Sequence, residues 1–165
     1  MFFSAASRQL AALGDNVLYI WPAQDGTLLH ERPSQTAGFS PDGKRLASVS
    51  ADGVSIEMLD AADGRVLFSM KGHTQSSSES ATGIAGVSFS PDGALLAPAG
   101  YDDKTVRLWN AANGQSVFTL QRNNAVQAVA FSPDGKILAT LETAVDASGG
   151  SIMSPEGGFR FGGVR

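Results

Sequence analysis

Residues 39–43, 89–93 and 131–135 carry the same five letters, Phe-Ser-Pro-Asp-Gly. Each copy reads as a strand end, a tight turn and a strand start. Pro sets φ near −65° at the second turn position, Asp can bond its own backbone, and Gly accepts positive φ. Apolar runs on both sides make the turn a hairpin signal. One such turn constrains little, but three with matching flanks define an internal repeat, and a repeat dictates the class of fold.

The flanks match in register. Seven residues after each Phe stands a Leu (Leu46, Leu96, Leu138), and the eighth is Ala (Ala47, Ala97, Ala139). Twenty after Phe89 is Trp109, and twenty after Phe39 is Leu59. A worn copy opens the chain, where residues 3–11 align with 39–47 and the turn letters have become Ala-Ala-Ser. Trp21 and the pair Asp25 and Gly26 then fall two places short of their expected positions.

Short apolar segments follow the same beat. The first unit predicts strands over 10–13, 17–21 and 27–30. The second predicts 36–40, 45–50, 54–59 and 66–70, and the third 84–90, 95–99, 105–109 and 116–120. A fourth opens with 125–132 and 137–142, and its second half is expected over 151–154 and 158–161. Nothing sustains a 3.6-residue period, so the class is all-β. In residues 126–131 both strand faces are mostly apolar, which places that strand in a sheet packed on both sides. Small residues there (Ala85, Gly86, Ala128, Ala130) suit a crowded innermost strand. Four-stranded antiparallel units stacked around an axis meet both demands, and that arrangement is a β-propeller.

The residues also carry a family resemblance. Gly72 and His73, then Phe-Ser-Pro-Asp-Gly, then residues 102–110 (Asp-Asp-Lys-Thr-Val-Arg-Leu-Trp-Asn) resemble a WD repeat, with Asn110 at the second signature letter. The resemblance is strong over 34–142, weak over 3–31 and faint over 143–165. Ser-Pro-Asp-Gly alone is also found in other propellers, such as TolB-like repeats. The resemblance implies repeats at 1–31 (degenerate), 32–71, 72–121 and 122–142, followed by a Gly-rich tail, 143–165, that is either the worn end of the fourth repeat or disordered. It also implies a buried set of His, Asp, Ser or Thr and Trp in each blade. His73, Asp103 and Trp109 take three of those places in the third repeat. The Ser place falls at or near Ala99, which leaves that set incomplete. The second repeat offers Ser48 and Asp52, with Leu59 for Trp and no Gly-His. The first offers Asp15 and Trp21.

Composition bounds the function. The chain has 165 residues, 42% apolar and 17% charged, enough for one domain with a core. Its net charge is −4, and twelve Lys and Arg are scattered without a basic run, so neither nucleic acid nor an anionic membrane is an expected partner. There is no Cys, hence no disulfide frame and no thiolate site. Met1, Phe2 and Phe3 lead into Ser, Arg and Gln rather than an apolar segment, so no signal peptide is expected and the expected location is cytoplasmic. His73 can be read as a catalytic base, but the repeat itself gives it a structural use. His30 and His73 are the only histidines, a poor supply for a metal. Asp42, Asp92 and Asp134 are turn residues before they are paired carboxylates. No nucleophile elbow, P-loop or dinucleotide fingerprint is present. No catalytic group, cofactor or metal is therefore expected.

One feature lies outside the repeat. Phe39 to Phe89 spans 50 residues and Phe89 to Phe131 spans 42, and the extra eight all fall in the loop 71–83. A polar, Ser-rich insertion is either a tolerated loop or a binding loop held out by a rigid scaffold. As a binding loop it offers Thr74, Gln75, Ser76, Ser77, Ser78 and Glu79, expected on one rim with Tyr101 and Asp102. The leading expectation is a non-enzymatic protein-interaction scaffold, a segment of a larger propeller. The alternatives are a propeller that binds or hydrolyses a small molecule, and a fragment without a function of its own. About four blades do not make the seven that such repeats usually close, so the expected arc is open and pairs with itself or with another propeller segment.

Overall fold

The computed structural model describes residues 2–4, 8–22, 24, 26–75, 82–145, 151–154 and 158–160, with side chains over 8–22, 24, 26–75 and 82–143. Among the described residues sixteen strands form four antiparallel sheets. The first holds β1 (Phe2–Ser4), β2 (Gln9–Gly14), β3 (Val17–Pro22) and β4 (His30–Pro33), and the second β5 (Ala37–Phe39), β6 (Arg45–Val49), β7 (Ser55–Asp60) and β8 (Val66–Lys71). The third holds β9 (Ile84–Phe89), β10 (Leu95–Gly100), β11 (Thr105–Asn110) and β12 (Ser116–Gln121). The fourth holds β13 (Val126–Phe131), β14 (Ile137–Val145), β15 (Ser151–Ser154) and β16 (Gly158–Arg160). The first three are simple meanders, each strand paired with the next. These are the blades of an incomplete propeller, with β1, β5, β9 and β13 innermost and the four sheets not closed into a ring.

Two details depart from the expected strands. In the first blade the outer strand is His30–Pro33 rather than 27–30, and Asp15 and Asn16 take left-handed φ of 52° and 58° in the two-residue turn between β2 and β3. Val17 through Ile20 then pair back to Pro33 through His30, and Leu28 and Leu29 are left exposed in the connection. In the fourth blade β15 and β16 do not form a third and a fourth layer. Both pair with β14, β15 along Glu142 to Val145 and β16 along Ile137 to Ala139.

The blades pack in one repeating register. The seventh-place leucines face the preceding blade and are sealed: Leu46 and Leu96 are 0% exposed and Leu138 is 2%. Burying each is worth about 2 kcal/mol. The eighth and tenth places face the following blade. Thus Ala11, Leu18 and Ile20 of the first blade meet Leu46, Leu59 and Phe39 of the second. Ala47, Val49 and Met58 of the second meet Leu96, Trp109 and Phe89 of the third. Ala97, Ala99 and Leu108 of the third meet Leu138, Val129 and Phe131 of the fourth. At all three interfaces the eighth-place alanine points forward and the seventh-place leucine points back. Side-chain bonds pin the first two, with Gln9 Nε2 donating to Ala61 O (2.8 Å) and Arg45 Nη1 donating to Ala111 O (2.7 Å).

Candidate interaction rim and the buried polar sets

The three Phe-Ser-Pro-Asp-Gly turns are near copies. Gly43, Gly93 and Gly135 take φ of 68°, 71° and 69°, where only glycine is unstrained. In each, the Ser hydroxyl donates to the Asp, at 2.6, 2.5 and 2.6 Å for Ser40, Ser90 and Ser132. The Asp oxygen in turn accepts the backbone N–H two residues on, from Lys44, Ala94 and Lys136. These bonds, the Ser hydroxyl first, hold the carboxyls of Asp42, Asp92 and Asp134 below the usual carboxylate range. The three acids sit in their own turns and do not converge on a common point. A Cβ on Gly93 would meet Pro41 at 3.6 Å and one on Gly135 would meet Pro91 at 3.5 Å, so successive turns stack around the axis.

At the other end of the third blade, His73 arrives from the segment that leaves β8. Its Nδ1 lies 2.9 Å from Asp103 Oδ2, and the acceptor-only carboxylate assigns the proton to Nδ1. Asp103 also accepts from Thr105 Oγ1 (2.8 Å), Thr105 N (3.1 Å) and Thr74 N (3.2 Å). Burial pushes the Asp103 carboxyl up, but His73, Thr105 and the Thr74 N–H outweigh it and hold the group at about 2. Trp109 is 6% exposed and lies against Gly72, where a Cβ would come within 3.3 Å of the ring.

His73 and Trp109 are not joined by a hydrogen bond. His73 Nε2 and Trp109 Nε1 are both buried without a partner among the described residues. The cause is on β10. Ser48 of the second blade pairs across to Ala37, and its counterpart, paired to Val87, is Pro98. The Ser place is therefore Pro98, one residue before Ala99. Proline supplies no hydroxyl and no N–H, and the β10–β11 pairs accordingly skip Ala97 and Pro98, whereas β6–β7 runs unbroken.

The other blades solve the same position differently. Ser48 Oγ donates to Ser34 Oγ (2.9 Å), which donates to Thr36 O (3.0 Å). Asp52 stands apart in the β6–β7 turn, taking the N–H groups of Val54 (3.0 Å) and Ser55 (2.9 Å) and the Ser55 hydroxyl (2.6 Å). In the fourth blade Arg122 Nε donates to the buried Glu142 Oε1 (2.5 Å), which also takes Thr140 Oγ1 (3.2 Å). In the first, Asp15 is exposed in its turn, while Trp21 is half-buried with its ring stacked on Tyr19 at 5.8 Å.

The long loop returns to the same end as this set. Thr74 N bonds Asp103, and the Gln75 side chain lies by Gly53. On the way back, Gly83 N donates to Asp102 Oδ2 (3.0 Å), Tyr101 N donates to Gly83 O (2.7 Å), and Ile84 N donates to Gly53 O (2.7 Å). A Cβ on Gly83 would come 2.1 Å from Gly53 O, so glycine is required there. Both described ends of the loop thus meet the turns 51–54 and 101–104 on one rim. Ser76, Ser77, Ser78 and Glu79 lie outside the described residues. Gly83, Gly53, Pro98, Arg122 and Glu142 were not singled out from the sequence. A lone glycine before a strand, a proline inside one and a glutamate on an apolar one were the available signals.

Among the described residues no group of three or more His, Asp or Glu side chains is disposed to hold a metal ion, and no helix is long and apolar enough to cross a membrane. The family model described as WD domain, G-beta repeat matches residues 64–110 and 114–152, together just over half of the chain. No curated protein matches the sequence.

Proposed function

The chain belongs to the WD-repeat family, and from that premise we propose that it is a non-enzymatic platform for protein–protein interaction that engages its partner through the rim where the 71–83 loop meets Tyr101 and Asp102. The observation that carries this is the pinning of both described ends of the eight-residue insertion onto one rim, through Thr74, Gly83, Tyr101 and Asp102. A rigid scaffold that holds out a polar loop is the usual way repeat folds present a binding surface. His73, Asp103, Ser48 and Asp52 act as structural groups beneath that rim. Their hydrogen bonds are spent on backbone and neighbouring side chains rather than aimed at a common reacting position. Enzymatic or small-molecule function would need polar groups converging on the axis, and the innermost strands β5, β9 and β13 are made mainly of Ala, Gly, Val and Phe. A cytoplasmic protein belonging to a larger propeller assembly fits this reading.

The test replaces residues 74–82 with a short Gly-Ser link. Loop length costs only logarithmically in entropy, so the melt should stay unchanged. Affinity for a partner captured with the intact chain, measured by titration calorimetry, should fall at least tenfold. Unchanged affinity removes the loop from the site.

A further inference from the structure

The blade interface that occurs three times inside the chain has two unfilled halves, and they are complementary. Its back half is built from large side chains at the seventh place and at its cross-strand partner: Leu46 with Leu59, Leu96 with Trp109. Its front half is built at the eighth and tenth places and on alternate residues of the innermost strand. These are Gly38, Ala47 and Val49 in the second blade, and Gly86, Ala97 and Ala99 in the third. The front-facing glycines work by closeness. A Cβ on Gly38 would touch Val87 at 3.5 Å, and one on Gly86 would touch the backbone of Gln127 at 3.6 Å.

The first blade repeats the back half without a neighbour among the described residues. Leu10 pairs with Trp21, as Leu96 pairs with Trp109, yet both are only half-buried where their counterparts are sealed. They line an open cleft of about 350 Å³ with Pro22 and Gln24. The fourth blade repeats the front half, also without a neighbour among the described residues. Ala139 and Leu141 stand at the eighth and tenth places, across from Ala130 and Ala128. The three alanines are exposed, and the strand face around them forms a shallow cleft of about 270 Å³.

We propose that the front of the fourth blade, centred on Ala128, Ala130 and Ala139, docks the back of the first blade, centred on Leu10 and Trp21, of a second copy of this chain. The contact continues an interface already made three times in the same register, the seventh place of one sheet against the eighth and tenth places of the other. It is heterologous, so each copy uses one face as donor and the other as acceptor. It also covers apolar sheet faces that a soluble chain otherwise leaves open. The proposal goes beyond the rim reading and does not depend on it.

The experiment uses the full chain and two variants, Ala139→Arg on the front and Trp21→Arg on the back. Light scattering after size exclusion, over a range of concentrations, should give a mass above one chain for the parent. Each variant alone should stay at one chain. A mixture of the two should regain a 1:1 dimer, because each retains the face the other has lost. Circular dichroism confirms that the variants are folded. Should they unfold, the chain's lack of cysteine gives a second measurement. An equimolar mixture of Ala139→Cys and Trp21→Cys should form a mixed disulfide under mild oxidation, and neither should cross-link efficiently alone. A parent chain that stays a monomer at all concentrations overturns the proposal. So does association that survives Trp21→Arg, or cross-linking of Ala139→Cys with itself, which would mean like faces pair.

Discussion

Replacing Pro98 with Ser should stabilise the protein, against the usual direction of a core substitution. The His73–Asp103–Trp109 set of the third blade buries two polar atoms without partners among the described residues, an acceptor at His73 Nε2 and a donor at Trp109 Nε1. Each orphan costs about 1–3 kcal/mol. Pro98 lies on β10 two places beyond Leu96, which pairs with Trp109, and two before Gly100, where a Cβ would come 2.6 Å from His73 Nδ1. All three positions share the face turned to the second blade. A hydroxyl on residue 98 accepts from Trp109 and donates to His73, so one small group serves both orphans at a net gain of about 1 kcal/mol per bond. Serine has fewer heavy atoms than proline and fits the space. The substitution also returns an N–H to the β10–β11 ladder, and it forfeits about 0.4–1 kcal/mol of proline's restraint on the unfolded chain. Those last two effects are common to Pro98→Ala, so the alanine variant isolates the hydroxyl. Pro98→Ser should exceed Pro98→Ala by about 2 kcal/mol in urea denaturation, or about 4–8 °C in melting temperature for a chain of this size. In a His73→Ala background the advantage should shrink by about half, since one of its two bonds is gone. If the Ser and Ala variants agree within about 0.5 kcal/mol, the hydroxyl does not reach the two orphans and the assignment of Pro98 to the Ser place fails.

Trp109→Ala should cost about 3 kcal/mol or more, because it empties a large ring site between the second and third blades; a loss under about 1 kcal/mol in the same urea titration would mean the ring is not part of that packing. Acid should weaken the fold through Asp103. Its carboxyl is held at about 2 against an ordinary 3.8, so its contribution is complete above pH 4 and is lost as pH falls from about 4 to 2. Asp42, Asp52 and Asp92, also lowered, add loss in the same sense. Stability measured from pH 6 to 2 should fall less steeply for Asp103→Asn than for the parent, and parallel slopes would refute the role given to the His73–Asp103 contact.

What the sequence revealed, and what it hid, divides by range. The Ser-Pro-Asp-Gly turns are legible because every bond that shapes them lies within five residues. The blade faces are legible too, since Leu at the seventh place and Ala at the eighth alternate with strand period and so must point to opposite neighbours. The outer strand of the first blade lies three residues beyond the expected 27–30, because it is defined by pairing with β3, from Val17 with Pro33 to Ile20 with His30, which nothing local in the segment marks. The polar sets were least legible. Arg122 precedes β13 and Glu142 lies on β14, 20 residues apart, and nothing local marks either as the other's counter-ion.

The same division explains how the repeats have diverged without losing the fold. Packing between blades depends on apolar register, and that register is kept in all four. The polar set needs only to be satisfied, and the second and fourth blades do so with unrelated groups, a pair of serines and an Arg–Glu–Thr cluster. The third blade keeps the family letters best, with Gly72, His73, Asp103 and Trp109 all in place, yet it is the one whose set contains orphaned atoms. Retained letters fix where the groups stand, and a single proline on the neighbouring strand decides whether they are joined. Family likeness and completeness of bonding are therefore separate properties here, and the blade nearest the family pattern still carries unpartnered buried atoms in its polar set.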